Sequence, residues 1–295
     1  MAQEKRTAAS KFGEIQTGNE SWWSANPMAY DWHGELAREP GTAAWFDEID
    51  ARFVLGSRLF AHGSKPFDRI IPFESLRGKR VLEIGCGMGL HTELMLKAGA
   101  DVVSTDISAT SVEMTEKRLA LKKLVGDVRR CDAESLPFEA GTFDFVWSWG
   151  VIHHSSRTGR IVREIARVLK PAGEARIMVY NRDGMAAWVA FWTRHIGRLG
   201  FLKRSFDEPL FAATDGFMAR YYTKDQLEDL FRTFFDDVSA QVFGQDADVI
   251  PLPGRLRRVV GKLVSRGWME RRQATSGAFL FLTARSPFRA GAAGR

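Results

Sequence analysis

Cysteine is almost missing from this chain: Cys86 and Cys131 are the only two in 295 residues. Two thiols cannot build a disulfide framework, and neither stands at metal-ligand spacing from another Cys or from a His. A thiolate metal site is therefore excluded, no metal is expected, and a reduced, cytoplasmic setting is. Long apolar runs are missing too. Nothing approaches the roughly 18 residues that would cross a bilayer, and the opening MAQEKRTAASKFGE lacks the apolar stretch of a secretory signal. Internal repeats are absent. Charge is nearly balanced except in one place, residues 252–272, where seven Lys/Arg face Glu270 alone; that surplus of +6 equals the net charge of the whole chain. Basic residues confined to one segment do not make a general nucleic-acid surface.

The middle of the chain alternates short strands and helices. RVLEIG (80–85), DVVSTD (101–106), VGDVRRCD (125–132), FDFVWSW (143–149) and EARIMVY (174–180) read as strands. The fourth is apolar apart from Asp144 and Ser148, as a strand covered on both faces should be. Between them the pattern predicts helices at 90–98, 109–123 and 157–169, the first stopped by Gly99 and the last by Pro171 and Gly173. Thr223 and Gln226 form a capping box for a further helix, and 237–244 and 278–285 close as strands. Strands separated by helices imply right-handed crossovers and a mostly parallel sheet. Residues 1–20 read as frayed and polar, and Ser21 to Pro72 as aromatic-rich helical turns, with Trp45, Ile49 and Phe53 at helical spacing.

VLEIGCGMG places Gly85, Gly87 and Gly89 where the first strand turns into the first helix. Glycines suit a turn that a ligand's atoms must approach closely. A dinucleotide loop would need its third glycine at position 90, which is Leu90, so pyrophosphate cradling is not favoured; no Lys-Ser/Thr pair follows, which excludes a phosphate-binding P-loop. Asp106 ends the second strand and Asp132 the third. A carboxylate at the first tip can accept from both hydroxyls of a ribose, and one at the second can meet an adenine amino group. Together they describe a pocket for an adenosine ligand.

VLEIGCGMG, STDIS, CDAESLPFEAGTFDFVWSWGVIHH and VLKPAGEARIMVY, in that order and spacing, resemble the class I S-adenosylmethionine-dependent methyltransferases, in particular the small-molecule group that includes the ubiquinone/menaquinone C-methyltransferases. The resemblance is strong over residues 76–180 and continues over 222–285 by element order. It implies a Rossmann-like α/β fold, a seven-stranded mostly parallel sheet whose last strand is antiparallel, and S-adenosyl-L-methionine as cofactor. Five regions are then expected: an N-terminal helical lid (1–75), the cofactor-binding core (76–180), a helical insertion capping the substrate (181–221), the remaining core with a basic insertion at 245–276 (222–285), and a disordered tail (286–295). By the same resemblance Glu83 and Gly85 lie by the methionine amino end, and Gly87 and Gly89 give way to ribose and methionine. Asp106 takes the ribose hydroxyls beside Ile107, Asp132 takes the adenine amino group beside Ala133, and Trp149 and Gly150 border the sulfonium. Ala172 departs from the family's usual LKPGG turn without touching function.

No N/D-P-P-Y/F motif and no Cys nucleophile follows the fourth strand, which argues against methylation of nucleic-acid bases. The aromatic flanks suit a small, partly apolar acceptor, with Trp22, Trp23, Trp32, Trp188 and Trp192 as walls and Arg220, Tyr221 and Tyr222 as further contacts. His153 and His154 are the candidate bases, His153 the preferred one with His154 anchoring the loop. The basic segment reads as an ordinary core stripe under a solvated face, or as an amphipathic helix making peripheral contact with a membrane or an anionic partner. Two alternatives stay open: methylation of a lipid-like quinone or isoprenoid at a membrane surface, and a catalytically silent S-adenosylmethionine-binding partner protein.

Overall fold

The computed structural model describes residues 2–29, 36–63, 65–185, 187, 216–250, 252 and 254–288. Its strands are β1 (Arg80–Ile84), β2 (Asp101–Asp106), β3 (Asp127–Arg130), β4 (Phe143–Trp149), β5 (Leu169–Asn181), β6 (Tyr221–Tyr222), β7 (Phe235–Phe243) and β8 (Phe279–Pro287). They form one sheet in the order β3-β2-β1-β4-β5-β8-β7, with β6 paired to β5 off this path. β1 to β5 pair in parallel, whereas β8 runs antiparallel to both β5 and β7. The expected seven strands and their directions are present, and the two-residue β6 is an addition that the sequence pattern did not disclose.

Alternation along β1 divides the core in two. Leu82 and Ile84 face one side, with Val103, Ile161, Ile165 and Phe231. Val81 faces the other, with Phe53, Phe67, Ile71, Met95 and Trp147. Helices α1 (Ala2–Ala25), α2 (Ala43–Gly56), α3 (Leu90–Lys97), α4 (Ala109–Lys122), α5 (Thr158–Val168) and α6 (Lys224–Arg232) cover the sheet and its ends. α6 carries the predicted capping box, Thr223 and Gln226 each bonding the other's backbone. Three further helices, α7 (Asp246–Val249), α8 (Gly254–Leu263) and α9 (Arg266–Ser276), precede β8.

Residues 2–25 are helical rather than frayed. The basic segment is two helices, broken where the Ser265 hydroxyl caps Trp268 N–H. Val260 and Val264 pack on Leu59, Val249, Ile250 and Met269, so part of the predicted stripe is core. Leu256, Val259, Leu263 and Trp268 are exposed. Among the described residues no helix is long and apolar enough to cross a membrane.

Candidate functional site

The carboxyl ends of β1, β2, β3 and β4 open into one cavity, roofed by α1 and α2. At the β1–α3 turn Gly85, Gly87 and Gly89 all have positive φ, 83°, 53° and 78°. A Cβ on Gly85 would meet Val151 Cγ2 at 2.1 Å, so this turn is packed against the loop after β4. A Cβ on Gly87 would meet nothing within 4 Å, which leaves the loop open on the cavity side. Gly85 and Gly87 line that cavity. Gly89 does not. It is the N-cap residue of α3, and a Cβ there would press on Thr115 and Arg118 of α4, so its smallness serves packing.

Glu83 also departs from expectation. It lies on the Val81 face of β1, one residue out of phase with the cavity-lining Ile84, and is 1% exposed. Its Oε2 accepts from the hydroxyls of Thr92 and of Ser104, the latter at 3.0 Å, beneath the glycine loop. Burial raises its pKa to about 8, against the lowering effect of those two hydroxyls. A raised carboxyl pKa favours folding below the unfolded value of 4.5, and this advantage drains away as pH climbs towards 8. Glu83→Gln mimics the protonated acid. Thermal unfolding from about pH 5 to about pH 8 is expected to show the variant gaining on the wild type; parallel curves would refute the assignment.

Asp106 Oδ2 accepts from Gly87 N–H at 3.1 Å and its Oδ1 from Ser108 N–H at 2.9 Å. The carboxylate is thereby held at the end of β2, and burial raises its pKa. Asp132 Oδ1 accepts from Glu134 N–H and from Gln16 Nε2, both at 2.9 Å. Both aspartates line the cavity, as do Ile107, Ala133, Trp149 and Gly150. An aliphatic side chain, two carboxylates on neighbouring strand tips and an open glycine turn match the chemistry of an adenine, its ribose and a small zwitterionic chain.

The two histidines occupy a short 3-10 turn, 152–154, and part company there. His153 is fully buried, its ring between His154 and Tyr180 at centroid distances of 4.2 and 4.1 Å, and it does not line the cavity. Burial drives its pKa well below the ordinary histidine value. His154 does line the cavity. Its Nδ1 bonds Met218 O, so Nδ1 carries the hydrogen and Nε2 is an acceptor without a partner among the described residues. Burial lowers its pKa to about 4 despite that bond. Of the two candidate bases, His154 is the one on the cavity wall. Glu134 fixes the loop that follows, accepting from the hydroxyls of Ser155 and Ser156 and from Arg157.

Of the expected acceptor contacts, Trp23 lines the cavity, and Trp22 only packs edge-on against it at 4.6 Å. Arg220, Tyr221 and Tyr222 border a neighbouring surface cleft instead, because β6 pairs with the end of β5. There the Arg220 guanidinium donates to the carbonyls of Ser155 and Ser156, and Tyr222 OH to Thr158 Oγ1, bracing the histidine loop from behind. Trp32, Trp188 and Trp192 lie outside the described residues.

Sequence reasoning missed the polar residues of α1. Gln16 and Asn19 line the cavity with Trp23, and Asn19 Nδ2 donates to His154 O at 2.6 Å. These contacts are polar and so leave no apolar stripe to detect. It also missed Arg118, 0% exposed, which pairs with Asp50 of α2 and Glu93 of α3 and donates to Met88 O. That cluster locks the roof helix onto the glycine turn.

A methyltransferase-domain family model matches residues 82–177. The ubiquinone biosynthesis O-methyltransferase of Mesorhizobium japonicum is 28% identical over 191 residues, covering 63% of this chain and 70% of that protein. The enzyme of the same description from Chelativorans sp. is 29% identical over 194 residues, with 64% and 70% covered. Among solved structures, the Haemonchus contortus phospholethanolamine N-methyltransferase 2 superposes with a TM-score of 0.55 at 19% identity, covering 93% of this chain and 61% of that one. The [4+2]-cyclase SpnF gives 0.54 at 18%, covering 93% and 96%. At such identities the structural likeness speaks for the fold alone.

Proposed function

The chain belongs to the class I S-adenosylmethionine-dependent methyltransferases, and from that premise we propose that it methylates a small, partly apolar metabolite, in the cytoplasm, within the cavity under α1 and α2. The observation that carries this reading is the convergence of the Gly85–Gly87 turn, Asp106 and Asp132 on one cavity whose far wall is aromatic: Phe53, Trp149 and Phe279. The O-methyltransferase relatives act, by their names, in the biosynthesis of ubiquinone, which supports a partly apolar acceptor.

In this reading Asp106 holds the ribose hydroxyls, Asp132 the adenine amino group, and the turn at Gly87 the methionine end. Bound there, S-adenosylmethionine supplies a methyl group on a sulfonium, an electrophile open to in-line displacement. The protein's share is to align the acceptor, keep water out and receive a proton where the acceptor must lose one. α1 and α2 exclude water. His154 receives the proton at Nε2, and its depressed pKa keeps that nitrogen unprotonated throughout the neutral range. His154→Ala is expected to lower turnover about 10²-fold or more while S-adenosylhomocysteine affinity stays unchanged; full turnover in the variant would remove His154 from the chemistry. The reading as a whole is tested by incubating the protein with methyl-labelled S-adenosylmethionine and a metabolite extract. Label in a small, extractable product is expected, and label only in nucleic acid or protein would overturn it.

A further inference from the structure

His91, the second residue of α3, has a role the cofactor does not give it. Its Nδ1 accepts from Trp147 Nε1–H at 3.2 Å, which places the imidazole hydrogen on Nε2. The ring is 6% exposed and boxed by aromatic side chains, with centroid distances of 4.7 Å to Phe67, 5.5 Å to Phe53, 5.3 Å to Trp147 and 5.7 Å to Trp149. It also lines the cavity. Nε2–H is buried and has no partner among the described residues. A buried donor without an acceptor is costly, and such groups are normally satisfied by water or a ligand. The two nitrogens of an imidazole point in widely divergent directions, so anchoring Nδ1 on the sheet turns Nε2 away from it.

The surrounding groups say what the donor is for. Burial, and then the Arg118 charge, lower the His91 pKa to about 3, so the ring is a neutral donor at any working pH. The neighbouring wall is aromatic and carries no competing acceptor on Phe53, Trp149 or Phe279. We propose that His91 is the specificity residue of the acceptor subsite, donating its Nε2 hydrogen to a carbonyl or ring-borne oxygen of a planar, unsaturated acceptor lying against the edge-packed rings of Phe53 and Trp149. The proposal rests on the methyltransferase reading above, since it takes the rest of the cavity to be filled by the cofactor.

The test compares two ligands of one shape: acetophenone, with a carbonyl oxygen, and α-methylstyrene, with a methylene in its place. Each is titrated into S-adenosylhomocysteine-saturated protein, following the indole N–H resonances of Trp147 and Trp149. His91→Phe is expected to weaken acetophenone about tenfold, the worth of one neutral hydrogen bond, and to leave α-methylstyrene unchanged. His91→Gln keeps an acceptor for Trp147 and a donor for the ligand, and is expected to restore acetophenone binding. Equal losses for both ligands, or no saturable acetophenone binding to the wild type, would overturn the proposal. Should His91→Phe not fold, the imidazole ¹⁵N spectrum of the wild type decides: acetophenone, and not α-methylstyrene, must move the protonated Nε2 signal, and an unmoved signal overturns the proposal. Failure of the wild type to bind S-adenosylhomocysteine would instead strike the underlying reading.

Discussion

Asp106→Ala is expected to bind S-adenosylhomocysteine about 10²-fold or more weakly than the wild type, because two charge-assisted hydrogen bonds to the ribose are lost at once. Asp106 is already oriented before any ligand arrives. Gly87 N–H and Ser108 N–H hold one oxygen each, so the remaining lone pairs face the cavity at no ordering cost. Asp132→Ala removes a single bond to the adenine and should cost about tenfold. The order of the two variants is the sharper test, read by calorimetry. Affinity should also fall on acidification sooner than for an ordinary aspartate, since burial raises the Asp106 pKa and the protonated form accepts less well. An Asp106→Ala protein that binds as well as the wild type would place the ribose elsewhere.

The second large effect is on stability. Arg118→Met fills the same space without the charge, strands Asp50, whose side chain is 21% exposed, and leaves Glu93, 6% exposed, with Lys97 as its remaining ion pair. Removing one partner from a buried ionic cluster costs about 3–5 kcal/mol, which for a chain of this size lowers Tm by about 5–8 °C. Arg118 also lies over the Phe46 ring at 5.3 Å, so the variant loosens α2, which brings Ile49 and Phe53 to the cavity. Adding Asp50→Leu and Glu93→Leu should recover most of the lost stability, because an uncompensated buried carboxylate is the main cost. If Arg118→Met alone unfolds at the wild-type temperature, the cluster does not hold the roof.

The parallel strands were legible because β1, β2 and β4 are runs of largely apolar residues punctuated by glycine or aspartate and separated by helices, which the crossover rule makes parallel. Asp106 and Asp132 were legible for the same reason: a strand tip is readable wherever the strand is. Glu83 was not, since alternation along β1 decides which side it faces and its hydroxyl partners come from α3 and β2. His153 and His154 are neighbours in sequence, and only the 3-10 turn and the bond from His154 to Met218 O separate a buried ring from a wall residue. Tyr221 and Tyr222 were assigned to the pocket by proximity in the chain, which the pairing with Tyr180 and Asn181 overrode. His91 carries no local signal at all; its box is assembled from α2, β4 and the segment before β1.

The most direct test is a crystal structure of the full chain with S-adenosylhomocysteine. The account predicts the adenine amino group on Asp132, both ribose hydroxyls on Asp106, and the sulfur facing Trp149 and Gly150, with His154 and His91 on the open side. A ligand bound away from Asp106, or with its sulfur turned from the β4 tip, would contradict it.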